Sequence, residues 1–355
     1  MDHDQPQPGP IHFDPISKND PASVATSLGR NGWMRDDEIL VGVESAGEGN
    51  MNCTLRATLR DPAGRERTLI VKQSRPWVEK YPTIAAPVER AWSEARFYEC
   101  VGSVAEVAAQ MPTLVGKDTA NYTLCLTDLS GSVDMTDAYG QASLPLDAAA
   151  RWLGQLHSIE LQPDQCASFQ NVELRKLNHQ HIFEIPLQSQ LPIDLEQITT
   201  GLETTRRQVI ADGNLLAIAK QMGDVYVDAD SWNDPNARLL HGDYYPGSFL
   251  RSPAANPTDA PSFFVIDPEF CFVGPPEFDL GVLLAHTLFC GIDCGEAKEQ
   301  ISAAYRGDRF IRHDLWQRFA GFEILRRLLG VAQLPLTATL QTKHQWIDIA
   351  REWIR

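Results

Sequence analysis

No stretch of this chain approaches the roughly 18 uncharged apolar residues that a membrane helix needs, so no membrane-spanning helix is expected. The opening residues, MDHDQPQPGPIHFDP, lack a basic region followed by an apolar core, so no secretory signal is expected there either. The spaced Pro6, Pro8 and Pro10 instead predict a mobile tail over residues 1–20. Basic charge is scarce. Lys and Arg number 31 against 47 Asp and Glu, and the formal net charge of −16 leaves no basic footprint of the kind nucleic-acid binders carry. Diffuse acidity acts mainly on solubility; it is compatible with a cationic substrate without indicating one. The seven cysteines are odd in number and irregular in spacing, and Cys290 and Cys294 have no second Cys or His pair in zinc spacing. Structural thiols in a reduced, cytoplasmic compartment are therefore expected. No internal repeat on the order of 20–50 residues is apparent by eye.

What the chain does contain changes texture along its length. Its 355 residues suggest two domains at roughly 150 residues each. A short helix is expected at Pro21–Leu28, then strands at Glu38–Val43, Met51–Leu59 and Thr68–Gln73. The last two are joined by the turn Asp61-Pro-Ala-Gly64, so they read as a hairpin. Pro87–Cys100 reads as a helix, and Pro112–Val115 and Tyr122–Thr127 as strands. Beyond Asp128-Leu-Ser-Gly131 the pattern turns helical. Ala149, Ala150, Leu153 and Leu156 form one stripe, and Glu196–Gly223 is expected to be helical too. A hairpin with its connection at Ser252–Pro261 follows, and then helices from Phe278 to the C-terminus. Asp314 is positioned to cap the helix bearing Leu315, Phe319, Phe322, Leu325 and Leu329. Residues 161–192 carry no clear pattern.

Four constellations carry chemistry. His241-Gly242-Asp243 ends an apolar strand; such an Asp alone is often a turn former. Ser248, five residues on, stands where a kinase catalytic loop places its second metal ligand, usually Asn. Asp267-Pro268-Glu269 is bracketed by Phe263-Phe-Val-Ile266 and Phe270-Cys-Phe-Val273. In extended chain its two carboxylates face the same way and suit a magnesium ion, which prefers oxygen ligands. Asp279 reads as a cap or a support for that loop. Lys72 lies in a strand, LIVKQ, with Glu94 on the next helix as a partner, the pairing that holds nucleotide phosphates in kinase-type sites. The turn before it, Gly47-Glu-Gly49-Asn-Met-Asn52, offers backbone amides to phosphate. Arg326 and Arg327 sit midway along a helix, where they suit phosphate or carboxylate recognition, although spacing alone favours a helix-surface salt bridge. One carboxylate orienting a hydroxyl while two others hold a metal is the logic of phosphoryl transfer.

With these motifs in this order, the chain resembles the aminoglycoside and choline kinase superfamily, and within it the 5-methylthioribose kinase branch. Glu48-Gly-Asn-Met-Asn52 resembles its glycine turn, Ile70-Val-Lys-Gln73 its nucleotide-lysine strand, and Glu89-Arg90 with Glu94 its partner helix. Thr127-Asp-Leu-Ser130 resembles the hinge that meets adenine, through Thr127 and Leu129. His241-Gly-Asp243 with Gly247-Ser248 resembles the catalytic loop, Asp267-Pro-Glu269 the metal loop, and Arg326-Arg327 the substrate-binding arginine pair. Tyr244-Tyr245-Pro246 stands where that branch usually has Leu-His-Thr, so both tyrosines are expected near the acceptor.

The resemblance implies an α+β, bilobal protein-kinase-like fold, with a nucleotide-binding antiparallel-sheet lobe over 21–128 and a helical lobe over 129–355. It implies an ATP- and Mg2+-dependent phosphotransferase acting on a small hydroxylated metabolite. Asp243 would be catalytic; Asp267, Glu269 and Ser248 would hold metal. Gly47, Gly49, Asn50, Asn52, Lys72, Glu94, Thr127 and Leu129 would hold nucleotide. Arg326, Arg327, Tyr244 and Tyr245 would meet substrate. Methylthioribose or a similar sugar is the first acceptor and an amino alcohol or aminoglycoside the alternative; a nucleotide-binding regulatory module without catalysis is the reading from another class. No nucleic-acid or membrane partner is expected, and a homodimer stays open.

Overall fold

Alternation of apolar and polar residues sets the first sheet. In CTLRATLR the side chains of Cys53, Leu55, Ala57 and Leu59 are buried and the intervening ones are not, the period of a strand with one face on a core. The computed structural model describes residues 12–47, 51–228, 230, 233–252, 262–305 and 311–355. Residues 1–11 and the connection 253–261 lie outside them, as do Gly49 and Asn50. Two compact units result: one takes the chain up to Glu99 with Pro112–Ser130, the other Cys100–Met111 with Gly131–Arg355.

The first unit begins with α1 (Pro21–Arg30), with Pro21 in the first turn, where its missing N–H costs nothing. Its sheet contains β1 (Ile39–Ser45), β2 (Cys53–Arg60), β3 (Glu66–Gln73), β6 (Leu114–Asp118) and β7 (Thr123–Thr127). Every pairing is antiparallel and the order is β1-β2-β3-β7-β6. A ribbon of β4 (Trp77–Val78) and β5 (Tyr81–Ala85) precedes α2 (Arg90–Val101). Val24 and Leu28 of α1 pack with Leu55, Leu69, Val71 and Cys125 in one buried cluster. Within the stretch expected as a tail, Ile16 is buried in that cluster and its amide donates to Gln73 Oε1 at 3.1 Å.

In the second unit, α3 (Ala105–Ala108) and β8 (Val133–Asp134) lead to α4 (Leu146–Leu156), which carries the expected stripe. The unpatterned region forms α5 (Pro163–Ser168) and α6 (Val172–His179), then a π-helical turn at Gln180–Glu184. The single helix expected over 196–223 is three: α7 (Leu195–Ile198), α8 (Leu202–Ile210) and α9 (Gly213–Val227). The breaks follow from Gly201, whose φ is +92°, and from Asp212, whose side chain accepts the Leu215 amide and starts a new helix. The strands are β9 (Arg238–Leu240), β10 (Phe249–Ser252), β11 (Ser262–Val265) and β12 (Phe272–Gly274). The expected hairpin is β10 with β11, while β9 pairs with β12.

The chain closes with α10 (Glu277–Cys290), α11 (Cys294–Ala304), α12 (His313–Leu329) and α13 (Leu340–Ile354). Asp314 is not the cap of α12. The helix begins one residue earlier, with Arg312 at the N-cap, gripped by Glu277 at 2.9 and 3.0 Å. Asp314 instead puts its charge in the first turn, where the helix dipole favours it. Every residue of α10 is buried, the apolar run from Leu280 to Ala285 together with the polar Glu277, Asp279, His286 and Thr287. It lies tightly on α12 because Gly281 lacks a side chain: a Cβ there would stand 2.6 Å from that of Phe319.

Candidate active site

The β9–β12 pairing sets Leu240 opposite Phe272. In an antiparallel pair, the chain leaving one strand runs beside the chain arriving at the other. Hence His241-Gly242-Asp243 lies against Asp267–Phe270. Gly242 has φ +86°, and a Cβ on it would meet the Phe270 carbonyl oxygen at 2.1 Å. Asp279, fully buried in the first turn of α10, accepts the amides of His241 at 2.7 Å and Gly242 at 3.0 Å. It therefore supports the loop. His241 donates from Nε2 to the Ile266 carbonyl at 2.9 Å, while its Nδ1 accepts the Asp243 amide at 3.4 Å. These two bonds define a neutral ring, and burial lowers its pKa.

Ser248 donates its hydroxyl to the Asp243 carbonyl at 2.9 Å, and its own carbonyl accepts the Ile266 amide at 3.0 Å. It thus closes the loop between the two acidic motifs. Asn171, in the stretch without pattern, donates to the carbonyls of Glu269 at 2.8 Å and Cys271 at 3.0 Å. Asp267 takes a left-handed conformation, φ +66°, uncommon for a residue with a Cβ. Glu269 is buried. This pair of carboxylates is a hard-oxygen donor set of the type magnesium takes.

Both expected arginines reach Asp243. Arg327 Nη2 donates to Oδ1 at 3.2 Å and Arg326 Nη1 stands 3.6 Å from the same atom. Behind them Glu323, 1% exposed, accepts from Arg326 at 3.1 Å and Arg327 at 2.5 Å. The two carboxylates are driven in opposite directions. Burial pushes Glu323 up, but Arg326 and Arg327 outweigh it and hold the group well below the usual carboxylate range. For Asp243 burial wins over Arg327 and Arg326, and its pKa is raised.

The two tyrosines part company. Tyr245 folds over Gly247, whose added Cβ would lie 2.6 Å from its ring, and Arg327 stands 4.6 Å above that ring. Tyr244, expected at the substrate, is core instead. It is fully buried, stacks on Trp152 at 5.4 Å and donates its hydroxyl to the Ala149 carbonyl at 2.9 Å. Consecutive residues of an extended segment point opposite ways, so only one of the pair can face Asp243.

In the first unit Lys72, on β3, meets Glu94, on α2, at 2.6 Å, and both are buried. Gly47 takes φ +75° at the start of the glycine turn. Asn52 is 4% exposed and its side-chain oxygen accepts from Ser74 at 2.9 Å and Arg90 at 3.0 Å. Thr127 ends β7, its amide donating to the Thr113 carbonyl at 2.9 Å. Leu129 follows Asp128, which Arg56 grips at 2.9 Å. Sequence reasoning missed Glu323, His286, Tyr139 and Asn171. For Glu323 a signal existed, since i, i+3 and i+4 place it on one helical face with both arginines.

Residues 63–322 match the family model described as the phosphotransferase enzyme family. The chain belongs to that family. It is 28% identical over 313 residues to a methylthioribose kinase of Erwinia tasmaniensis, covering 81% of this chain and 71% of the relative. A methylthioribose kinase of Citrobacter koseri is 26% identical over 343 residues, covering 89% and 79%. Among solved structures, a spectinomycin phosphotransferase in complex with ADP and spectinomycin superposes with a TM-score of 0.55 at 11% identity, covering 96% of this chain and 99% of that one. A choline kinase from Streptococcus pneumoniae gives 0.50 at 12% identity, covering 95% and 99%. The fold is protein-kinase-like, with an antiparallel five-stranded sheet, and the chain is a small-molecule kinase. Among the described residues no helix is long and apolar enough to cross a membrane.

Proposed function

We propose that the chain transfers the terminal phosphate of ATP, with magnesium, to a hydroxyl of methylthioribose or a similar uncharged sugar. The observation that carries the acceptor class is the arginine pair at 3.2 and 3.6 Å from Asp243. An ammonium group placed about 5 Å from each guanidinium would be repelled by about 3 kcal/mol apiece at an effective dielectric near 20, before the opposing attraction of Asp243 and Glu323 is counted. A neutral polyol would meet no such repulsion and could accept hydrogen bonds from both. The names of the sequence relatives point the same way.

In this reading Asp243 accepts a hydrogen bond from the acceptor hydroxyl, orients it and takes its proton late. Lys72, held by Glu94, binds nucleotide phosphates, with the turn from Gly47 through Asn52 offering amides and Thr127 and Leu129 meeting the base. Asp267 and Glu269, with Ser248, would hold the magnesium ion, which neutralises phosphate charge when bound. Arg326 and Arg327 bind acceptor or transferring phosphate, and Tyr245 lines the acceptor side. Positioning and charge stabilisation supply most of the rate.

The test is ADP release from ATP and magnesium with methylthioribose, choline, ethanolamine and an aminoglycoside as separate acceptors. Turnover with the sugar alone is expected, and Asp243→Asn should lower it by about 10²–10⁴-fold while ATP still raises the melting temperature. Turnover confined to an amino alcohol or aminoglycoside would overturn the acceptor assignment. Nucleotide binding without transfer to any acceptor would leave a binding module.

A further inference from the structure

The two carboxylates that share Arg326 and Arg327 use them differently. Glu323 takes Arg326 Nη1 on Oε2 and Arg327 Nε on Oε1. Asp243 meets both arginines on Oδ1. Among the described residues no hydrogen bond falls on its Oδ2. The division runs through Arg327 itself, with Nε on Glu323 and Nη2 on Asp243. Nε and Nη2 form one edge of the guanidinium, the fork that ordinarily clasps both oxygens of a single carboxylate. Here that fork is split between two.

Glu323 is itself held in place. A carboxylate only accepts, so His286 Nε2 carries the proton it donates to Glu323 Oε1 at 3.2 Å. That leaves Nδ1 to accept the Tyr139 hydroxyl at 2.8 Å. His286 is fully buried. The segment bearing Tyr139 hangs on the end of α10, Gly140 and Ala142 donating their amides to Phe289 at 3.0 Å and Cys290 at 2.7 Å. Every hydrogen-bond direction from Tyr139 to Asp243 is thereby determined.

We propose that Glu323, oriented by His286 and Tyr139, is a positioning residue that divides the Arg327 fork and so keeps Oδ2 of Asp243 open to the acceptor hydroxyl; this rests on the reading of Asp243 given above. Without the Glu323 charge, Arg327 turns its whole edge onto Asp243 and occupies both oxygens.

Glu323→Gln keeps the shape and removes the charge. Its kcat should fall on the order of 10²-fold, the low end of what a general base contributes, with the nucleotide KM within about twofold of native. Lysine is a point charge that cannot clasp two oxygens, so adding Arg327→Lys should recover at least about fivefold in kcat over Glu323→Gln alone. A kcat for Glu323→Gln within twofold of native would overturn the proposal, as would a double variant in which the two losses simply multiply. If Glu323→Gln does not fold, His286→Asn leaves the charge and frees its orientation. A kcat lowered about fivefold, again at unchanged nucleotide KM, is then expected, and a native kcat overturns the idea. ADP release with methylthioribose is the assay. Should the native chain ignore that sugar, the acceptor assignment falls, and the same ratios measured on ATP hydrolysis by water still decide the role of Glu323.

Discussion

Removing Asp279 tests how the loop that follows β9 is held. Its two oxygens accept the His241 and Gly242 amides at 2.7 and 3.0 Å, and His157 Nε2 lies 3.3 Å away in the same buried spot. Asp279→Ala leaves two buried amides without their acceptor. Each costs about 1–3 kcal/mol, more where the lost acceptor was charged, so about 3–5 kcal/mol is expected after some relaxation. For a unit of this size that corresponds to a fall in Tm on the order of 10 °C. Asp279→Asn should do little better, because its amide nitrogen would face one of the two N–H donors and only its single oxygen could accept. Scanning calorimetry of native, Asp279→Ala and Asp279→Asn protein, with ADP release measured on each, gives both readouts. A Tm for Asp279→Ala within 2 °C of native, with native turnover, would refute the claim that this side chain fastens the loop. Loss of turnover with no change in Tm would assign it to the chemistry instead.

Three further outcomes follow from the fold. Tyr244→Phe deletes only the bond to the Ala149 carbonyl; it should cost about 1 kcal/mol of stability and leave the acceptor KM unchanged. Tyr245→Ala removes the ring under Arg327 and should raise the acceptor KM several-fold; steady-state kinetics and melts on the two variants would refute the assignment if the effects were exchanged. Acid should destabilise the second unit through its buried imidazoles. Burial pulls His286 down to about 4 against the pull of Glu323, and burial with Arg326 and Arg327 does the same to His181. Above about pH 6.5 both are neutral folded or unfolded and contribute nothing to the pH dependence. As pH falls from 6.5 towards 4, the unfolded chain takes protons that the folded one refuses. Stability then drops by up to about 1.4 kcal/mol per pH unit for each group. Urea unfolding at pH 7 and pH 5 measures this, and His286→Asn should flatten the slope; an unchanged slope would show that His286 does not titrate in this window.

The legible parts were those written in local pattern. Alternation over Cys53–Arg60 and the turn at Asp61–Gly64 foretold the β2–β3 hairpin, and the strand lysine and helix glutamate foretold a pair that the structure closes at 2.6 Å. Less legible was anything that depends on which neighbour a residue finds. A helical stripe over 196–223 reads the same whether the helix is whole or broken at Gly201 and Asp212. Two adjacent tyrosines read alike until the fold buries Tyr244 on Trp152 and leaves Tyr245 under Arg327.

By itself, then, the order of residues determined the kinds of groups available: a strand lysine, an isolated aspartate after glycine, a D-x-E triplet and a helical arginine pair. Tertiary structure alone decided their company. It set Arg327 between Asp243 and Glu323, put His286 and Tyr139 behind them, and gave the Asp279 oxygens to two loop amides. The physical reason is that a carboxylate's charge and chemistry are local properties. Its proton affinity and free lone pairs, by contrast, depend on burial and on donors drawn from helices and loops distant in the chain.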